Sequence, residues 1–343
     1  MKDTSWFKAL NFVNGLVAPS FLFISGFAFV LSTRGKTEDL RKFDYAFWKK
    51  LGRIFLIIIA GYSLHLPILS LRRLMHFYSQ DVLISFYNVD ILQCIGFGLL
   101  FLFLTRLLFK TDKAYNNFIL VSTVAVILFS PFAWQIDFSK FMIIPLANYF
   151  NSMNGSFFPL FPWLGFLLAG AVVSKFYIEA RENNQEKKFI ITIIIVGISL
   201  AILGHILLTF IFDFPYKLVK PHPIFFFQRL GYVLFLLGVC WYYAEIRQTK
   251  TSFVLDVGRE SLLVYWLHLQ IIYRRLWNDQ SFASVLGGKF GIPESILATL
   301  LLAVAMIAVA KLWGSFKKKH RPLAANFTLG LVSLCIIIFL IGF

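Results

Sequence analysis

The chain has 343 residues, 59% of them hydrophobic and 18% aromatic, and a formal net charge of +16. Apolar runs of about 18 or more residues recur throughout, which excludes an ordinary soluble domain and reads as an all-α, polytopic helical membrane protein. Basic residues in such a chain are first a topology signal, so no nucleic-acid partner is inferred from the charge.

Ten candidate spans follow in chain order, at about residues 10–32, 53–71, 88–109, 117–134, 158–177, 189–212, 224–246, 257–276, 293–313 and 326–343. No polar stretch is long enough for a soluble domain, so residues 1–343 are expected to form a single transmembrane domain. If the loop between the first two spans is cytoplasmic, roughly two thirds of the Lys and Arg residues fall on that side, as the positive-inside rule requires. Both termini then face outward from a cell inner (plasma) membrane. An outward terminus carrying Lys2 and Lys8 implies either one further helix upstream or a short tail that simply translocates. A cleavable signal peptide is not expected, because the first apolar run is too long and lacks a basic n-region followed by a small-residue cleavage site. Cys94, Cys240 and Cys335 lie in apolar runs without metal-ligand spacing and read as core residues.

Phe158-Pro159-Leu160-Phe161-Pro162-Trp163-Leu164-Gly165 opens a helix expected to run to about Tyr177. Its prolines sit where a helix can begin without losing a needed donor, and Gly165 and Gly170 let another helix approach closely. Trp163 reads either as an interfacial anchor or as lining for a binding site.

Charged and imidazole groups inside apolar spans are costly, so each is a candidate for function. Asp90 and Gln93 lie three apart on one helix face, where they either line a cavity or cap their own helix. His268 is either a general base or the donor to a backbone carbonyl. His65, followed by Arg72, Arg73 and His76, either binds an anionic or sugar-like acceptor or forms an interfacial fringe. Arg229, close behind Lys220 and His222, is expected to face a carboxylate, a cavity or an anionic ligand, with Asp90 the expected partner. His205 reads as a packed core residue. Arg34, Lys49, Lys50, Arg53, Arg106 and Arg259 either gather around the phosphates of a nucleotide-containing donor or serve topology and anionic lipid headgroups. No Walker loop, GxGxxG, HExxH or CxxC is present, and no metal site is inferred.

Four segments in this order, Ala18-Pro19-Ser20-Phe21-Leu22-Phe23-Ile24-Ser25-Gly26, Val89-Asp90-Ile91-Leu92-Gln93-Cys94-Ile95, Phe158 to Gly165, and Gly258-Arg259-Glu260-Ser261-Leu262 through His268, resemble the heparan-alpha-glucosaminide N-acetyltransferase catalytic family and its bacterial relatives. The resemblance runs over roughly residues 10–270. It implies an acyltransferase that takes an acetyl or other acyl group from a cytoplasmic acyl-CoA, with acetyl-CoA the expected donor, and delivers it to a hydroxyl or amine of an outer-side carbohydrate or glycolipid. It also implies a histidine that deprotonates the acceptor or carries the acyl group, beside a basic mouth for the coenzyme phosphates. On this reading His268 and Asp90 are catalytic, Gln93, Arg229, His65 and Trp163 bind the acceptor, and Arg34, Arg53 and Arg259 bind the donor. Family members typically begin with one more helix, followed by an outer histidine ahead of the segment equivalent to Ala18-Pro19. Nothing between Met1 and Pro19 is a histidine, so the resemblance implies a truncated chain, a lost helix, or replacement by His65, His76 or His268.

Two other classes remain open at this point: a transporter or flippase using the same polar cavity, and a catalytically inactive relative. Transport predicts inverted repeats with interrupted helices in two matching halves, a pattern the sequence does not display clearly. The partners expected in every case are membrane lipids; a homo-oligomer is compatible with the sequence.

Overall fold

A computed structural model describes residues 4–35, 37–66, 70–72, 86–211, 219–247, 252–274, 280–287 and 289–341. The longer helices are α1 (Ser5–Thr33), α2 (Tyr45–His65), α3 (Ile91–Leu108), α4 (Asp112–Ala133), α5 (Leu160–Glu182), α6 (Glu186–Ile206), α7 (Pro223–Arg247), α8 (Ser261–Tyr273), α9 (Ile292–Lys319) and α10 (Arg321–Ile341). Among the described residues, eight helices are long and apolar enough to cross a membrane, all of these except α2 and α8. The protein is a helical membrane protein.

Two expected spans differ in extent. The span expected at 53–71 begins earlier, because Asp44 Oδ1 accepts from the Ala46 N–H at 2.9 Å and so starts α2 at Tyr45. The span expected at 257–276 is interrupted at Glu260, whose backbone (φ −104°, ψ 22°) leaves helical geometry between a short helix, Phe253–Arg259, and α8. With 13 residues, α8 extends only about 20 Å, short of a hydrocarbon core about 30 Å thick.

The contacts divide the chain into two units, one holding residues 1–59 and 87–247 and the other 60–86 and 248–343. In the first unit α5 is the hub and packs on α1, α3 and α4. Pro162 through Ala171 are all buried, so this stretch is enclosed on every side. The closest approach is between α1 and α5, where a Cβ on Gly26 would lie 1.8 Å from the Leu167 carbonyl oxygen and one on Gly170 would lie 1.9 Å from that of Phe23. Gly165 instead faces side chains, the ring of Phe226 at 3.0 Å and Ile127 at 3.3 Å. Serine and threonine hydroxyls within α1 donate back to carbonyls one turn earlier, Ser20 to Leu16 at 2.8 Å and Ser25 to Phe21 at 2.7 Å, which satisfies them without water.

The start of α5 explains its two prolines. Pro159 is the N-cap, Phe161 is non-helical (φ −98°, ψ 118°), and the Phe161–Pro162 peptide is cis. The carbonyl freed at Phe161 accepts from Trp134 Nε1 at 2.6 Å, and the Leu160 N–H donates to Tyr149 at 2.7 Å.

In the second unit α8 is pinned to the end of α2. Trp266 Nε1 donates to Ser63 Oγ at 2.7 Å, Gln270 Nε2 to the Ser63 carbonyl at 3.4 Å, and Arg274 Nη1 to the Leu66 carbonyl at 2.9 Å. The short helix Phe253–Arg259 and α8 both pack on α9, which in turn packs on α10.

Candidate functional site

In the first unit, the loop between α4 and α5 closes over the start of α3. The Phe157 and Phe158 N–H groups donate to the Val89 carbonyl at 3.1 and 3.0 Å, and the Val89 N–H donates to Ser156 Oγ at 3.1 Å. Asp90 and Gln93 then form a reciprocal capping box: Asp90 Oδ1 accepts from the Ile91 N–H at 2.7 Å, and Gln93 Oε1 accepts from the Asp90 N–H at 3.2 Å. Of the two sequence readings for this pair, the cap is therefore present. It fixes the orientation of Gln93, whose Nε2 is fully buried and has no hydrogen-bond partner. A second donor in the same condition belongs to Trp163, whose Nε1 is buried without an acceptor while its ring meets Phe158 edge-on at 4.9 Å. Trp163 is only 5% exposed, which overturns the reading of this residue as an interfacial anchor. Buried N–H groups without acceptors are uncommon in a folded protein, and a ligand oxygen would satisfy them.

Arg229 does not pair with Asp90. Its Nη1 donates to the Phe12 carbonyl at 3.0 Å, and its guanidinium lies 4.2 Å from the Phe12 ring and 5.3 Å from the Phe225 ring. The position where the sequence expected a carboxylate is taken by a backbone carbonyl and two aromatic faces. His222, just ahead of α7, accepts the Ile224 N–H on Nδ1 at 3.2 Å, and burial pushes its imidazole below its ordinary pKa.

The basic residues expected around a donor are divided in use. Arg34 forms a close ion pair with Glu182, and Arg106 one with Asp112, so neither offers an uncommitted charge. Lys50 donates to Ser32 Oγ at 2.7 Å, and Arg53 is exposed on α2. His205 is exposed on α6 rather than packed in the core, because that helix turns its buried face, with Ala201 and Gly204, elsewhere. His65 ends α2, where a histidine favourably meets the helix C-terminus; Arg73 and His76 lie outside the described residues.

In the second unit His268 is half-buried in the middle of α8, its ring 5.4 Å from that of Tyr265. Its Nδ1 lies 2.8 Å from the Val264 carbonyl oxygen. A carbonyl can only accept, so Nδ1 carries the proton and Nε2 of the neutral ring keeps its lone pair. At the N-terminal end of the same helix is a cavity of about 380 Å³ lined by Asp256, Arg259, Glu260, Gly314, Lys317, Lys318 and Arg321. Lys317 Nζ donates to both oxygens of Glu260 at 2.9 and 2.8 Å, which neutralises that carboxylate. Arg259, Lys318 and Arg321 remain against the single carboxylate of Asp256, so the cavity is cationic. Sequence reasoning found Arg259 but missed Lys317, Lys318 and Arg321, which lie 58 or more positions further along; their clustering in a short basic run was the available signal.

A family model described as heparan-alpha-glucosaminide N-acetyltransferase, catalytic, matches residues 2–215. That stretch contains the Asp90–Gln93 cap and Trp163, whereas Arg229, His268 and the cationic cavity lie beyond it. No curated protein and no solved structure was found to match the chain.

Proposed function

Because the chain belongs to the heparan-alpha-glucosaminide N-acetyltransferase catalytic family, we propose that it moves an acetyl group from acetyl-CoA to a hydroxyl or amine of a glycan or glycolipid. The donor is supplied on the cytoplasmic face of the plasma membrane and the acceptor on the other. The observation that carries the reading is the family match. What supports it in the geometry is α8, which has the cationic cavity at its start and His268 two turns further along, about 12 Å away by helical rise.

In this reading Arg259, Lys318 and Arg321 receive the phosphates of the coenzyme, and the thioester arm follows α8 toward His268. His268 Nε2 takes the proton of the acceptor hydroxyl or amine as its oxygen or nitrogen attacks the thioester carbonyl. The C–S bond breaks, and the proton returns to the departing thiolate as coenzyme A leaves. Within the first unit, Gln93 Nε2 and Trp163 Nε1 are assigned as donors to a glycan oxygen, with Asp90 positioning Gln93 through the cap.

Vesicles holding the purified protein should transfer label from acetyl-CoA to an added amino sugar or glycolipid; absence of transfer to every amine and hydroxyl acceptor would defeat the reading. Arg259→Gln and Arg321→Gln should each raise KM for acetyl-CoA about tenfold, the loss of one charge-assisted hydrogen bond, with kcat little changed. An unaltered KM in both variants would remove the cavity from the donor site.

Trp163→Phe deletes one N–H that has no protein acceptor. The smaller ring also leaves a cavity in a packed site, so thermal stability should fall modestly, while KM for the acceptor rises about tenfold. An unchanged acceptor KM would remove the Trp163 N–H from the acceptor site.

A further inference from the structure

The environment of Arg229 is not accounted for by acetyl transfer. The residue is six positions into α7, about 9 Å from its start, and Phe12 on α1 is at a similar depth from the start of that helix. A cation this close to a span's end lies near the boundary between hydrocarbon and headgroups. Of the guanidinium's donors, Nη1 is committed to Phe12, whereas Nε is closed to solvent and has no acceptor. Among the described residues no carboxylate pairs with it. Opposite it α1 presents Gly15, where a Cβ would stand 3.2 Å from Nη1, so a larger residue would crowd the guanidinium.

Two further features fix what would complete the site. Lys8, Asn11 and Gly15 follow at helical spacing on one stripe of α1, so the face that meets Arg229 continues outward through an exposed amide and an exposed ammonium. Leu10, Val13 and Val17, on the opposite face of α1 from the stripe, and Phe227, on the opposite face of α7 from Arg229, are exposed apolar side chains on segments long enough to span a membrane, so both helices border hydrocarbon. An anion at the depth of Arg229 therefore sits near the level of lipid headgroups.

We propose that the α1–α7 seam is a binding site for the phosphate group of a membrane lipid, held by Arg229 with Lys8 and Asn11. A phosphate presents two oxygens with the spacing of the guanidinium fork, so it satisfies Nε in a way a single water cannot. Two lipids carry that chemistry, an ordinary anionic phospholipid and a polyprenyl phosphate of the kind that bears glycans. The inference holds whether or not the acetyl-transfer reading does, since it concerns binding alone.

The test uses the full chain, delipidated in a neutral maltoside detergent, with thermal unfolding followed on addition of dioctanoylphosphatidylglycerol, polyprenyl monophosphate, dioctanoylglycerol or inorganic phosphate. The wild-type protein should gain a few degrees with the two phosphate-bearing lipids and much less with dioctanoylglycerol or inorganic phosphate. Either ranking of the two lipids supports the site and names its source. Arg229→Gln should reduce the phosphatidylglycerol gain to that of dioctanoylglycerol, and Arg229→Lys should keep only part of it. Equal gains from dioctanoylglycerol and phosphatidylglycerol, an equal gain from inorganic phosphate, or a full phosphatidylglycerol gain in Arg229→Gln would each overturn the proposal. Should Arg229→Gln fail to fold, the four-ligand comparison on the wild-type chain decides.

Discussion

Gly170→Ala should lower the thermal midpoint of the detergent-solubilised protein by about 5–10 °C, and Gly170→Leu should yield no monodisperse folded protein on gel filtration. The reason is the nature of the obstacle. A Cβ at Gly170 stands 1.9 Å from the Phe23 carbonyl oxygen and 2.7 Å from its carbon, and backbone atoms cannot rotate away as the end of a side chain can. α1 and α5 would have to separate by an ångström or more along a seam that holds Leu22, Phe23, Phe166 and Leu167, all at most 1% exposed, and dispersion contacts fall off steeply over such a gap. Gly26→Ala meets the Leu167 backbone from the other side at 1.8 Å and should cost a similar amount. The double variant should cost less than the two together, because one separation relieves both collisions. Gly165→Ala provides the internal contrast: its new Cβ would meet only the Phe226 ring and Ile127 side chain at 3.0 Å or more, so its midpoint should fall much less. If Gly170→Ala unfolds at the wild-type temperature, the helices do not approach as described.

These contrasts show what the sequence made legible. Hydropathy located the apolar runs, and small residues such as Gly170 marked a close helix approach, because both are properties of a local window. The interruption at Glu260 was not read from the sequence, although Asp256, Gly258, Arg259 and Glu260 fall close together there, because it accompanies a charge pair with Lys317, 57 residues away and outside any local window. Arg229 failed in a related way. Charge logic sought a carboxylate, and the fold supplied the Phe12 carbonyl, 217 residues distant, together with ring faces that no charge pattern encodes. The capping box was legible as one of two alternatives, since Asp90 and Gln93 have the required spacing. What spacing could not reveal is that satisfying Oε1 leaves Nε2 buried and unpaired. Orphaned donors are a property of the packed structure, which is why Trp163 drew attention through its place in a motif and not through its N–H.

On the acetyl-transfer reading, His268→Ala should lower kcat by about 10²- to 10⁴-fold, the usual contribution of a positioned general base, with KM for acetyl-CoA little altered. That result alone does not separate a base from a histidine that merely braces α8, because alanine removes both nitrogens. The hydrogen bond at Nδ1 provides the separation. An asparagine amide nitrogen occupies roughly the position of Nδ1, so His268→Asn can still donate to the Val264 carbonyl, now 2.8 Å from the ring nitrogen, but has no lone pair where Nε2 was. If the histidine only braces the helix, His268→Asn should transfer acetyl normally and unfold at the wild-type temperature, while His268→Ala loses stability. If Nε2 takes the acceptor proton, His268→Asn should be as inactive as His268→Ala while matching the wild type in stability, and Nδ1 then serves to fix the tautomer that leaves Nε2 free. Full transfer by a stable His268→Asn protein would remove His268 from the chemistry and leave α8 with the cationic cavity alone.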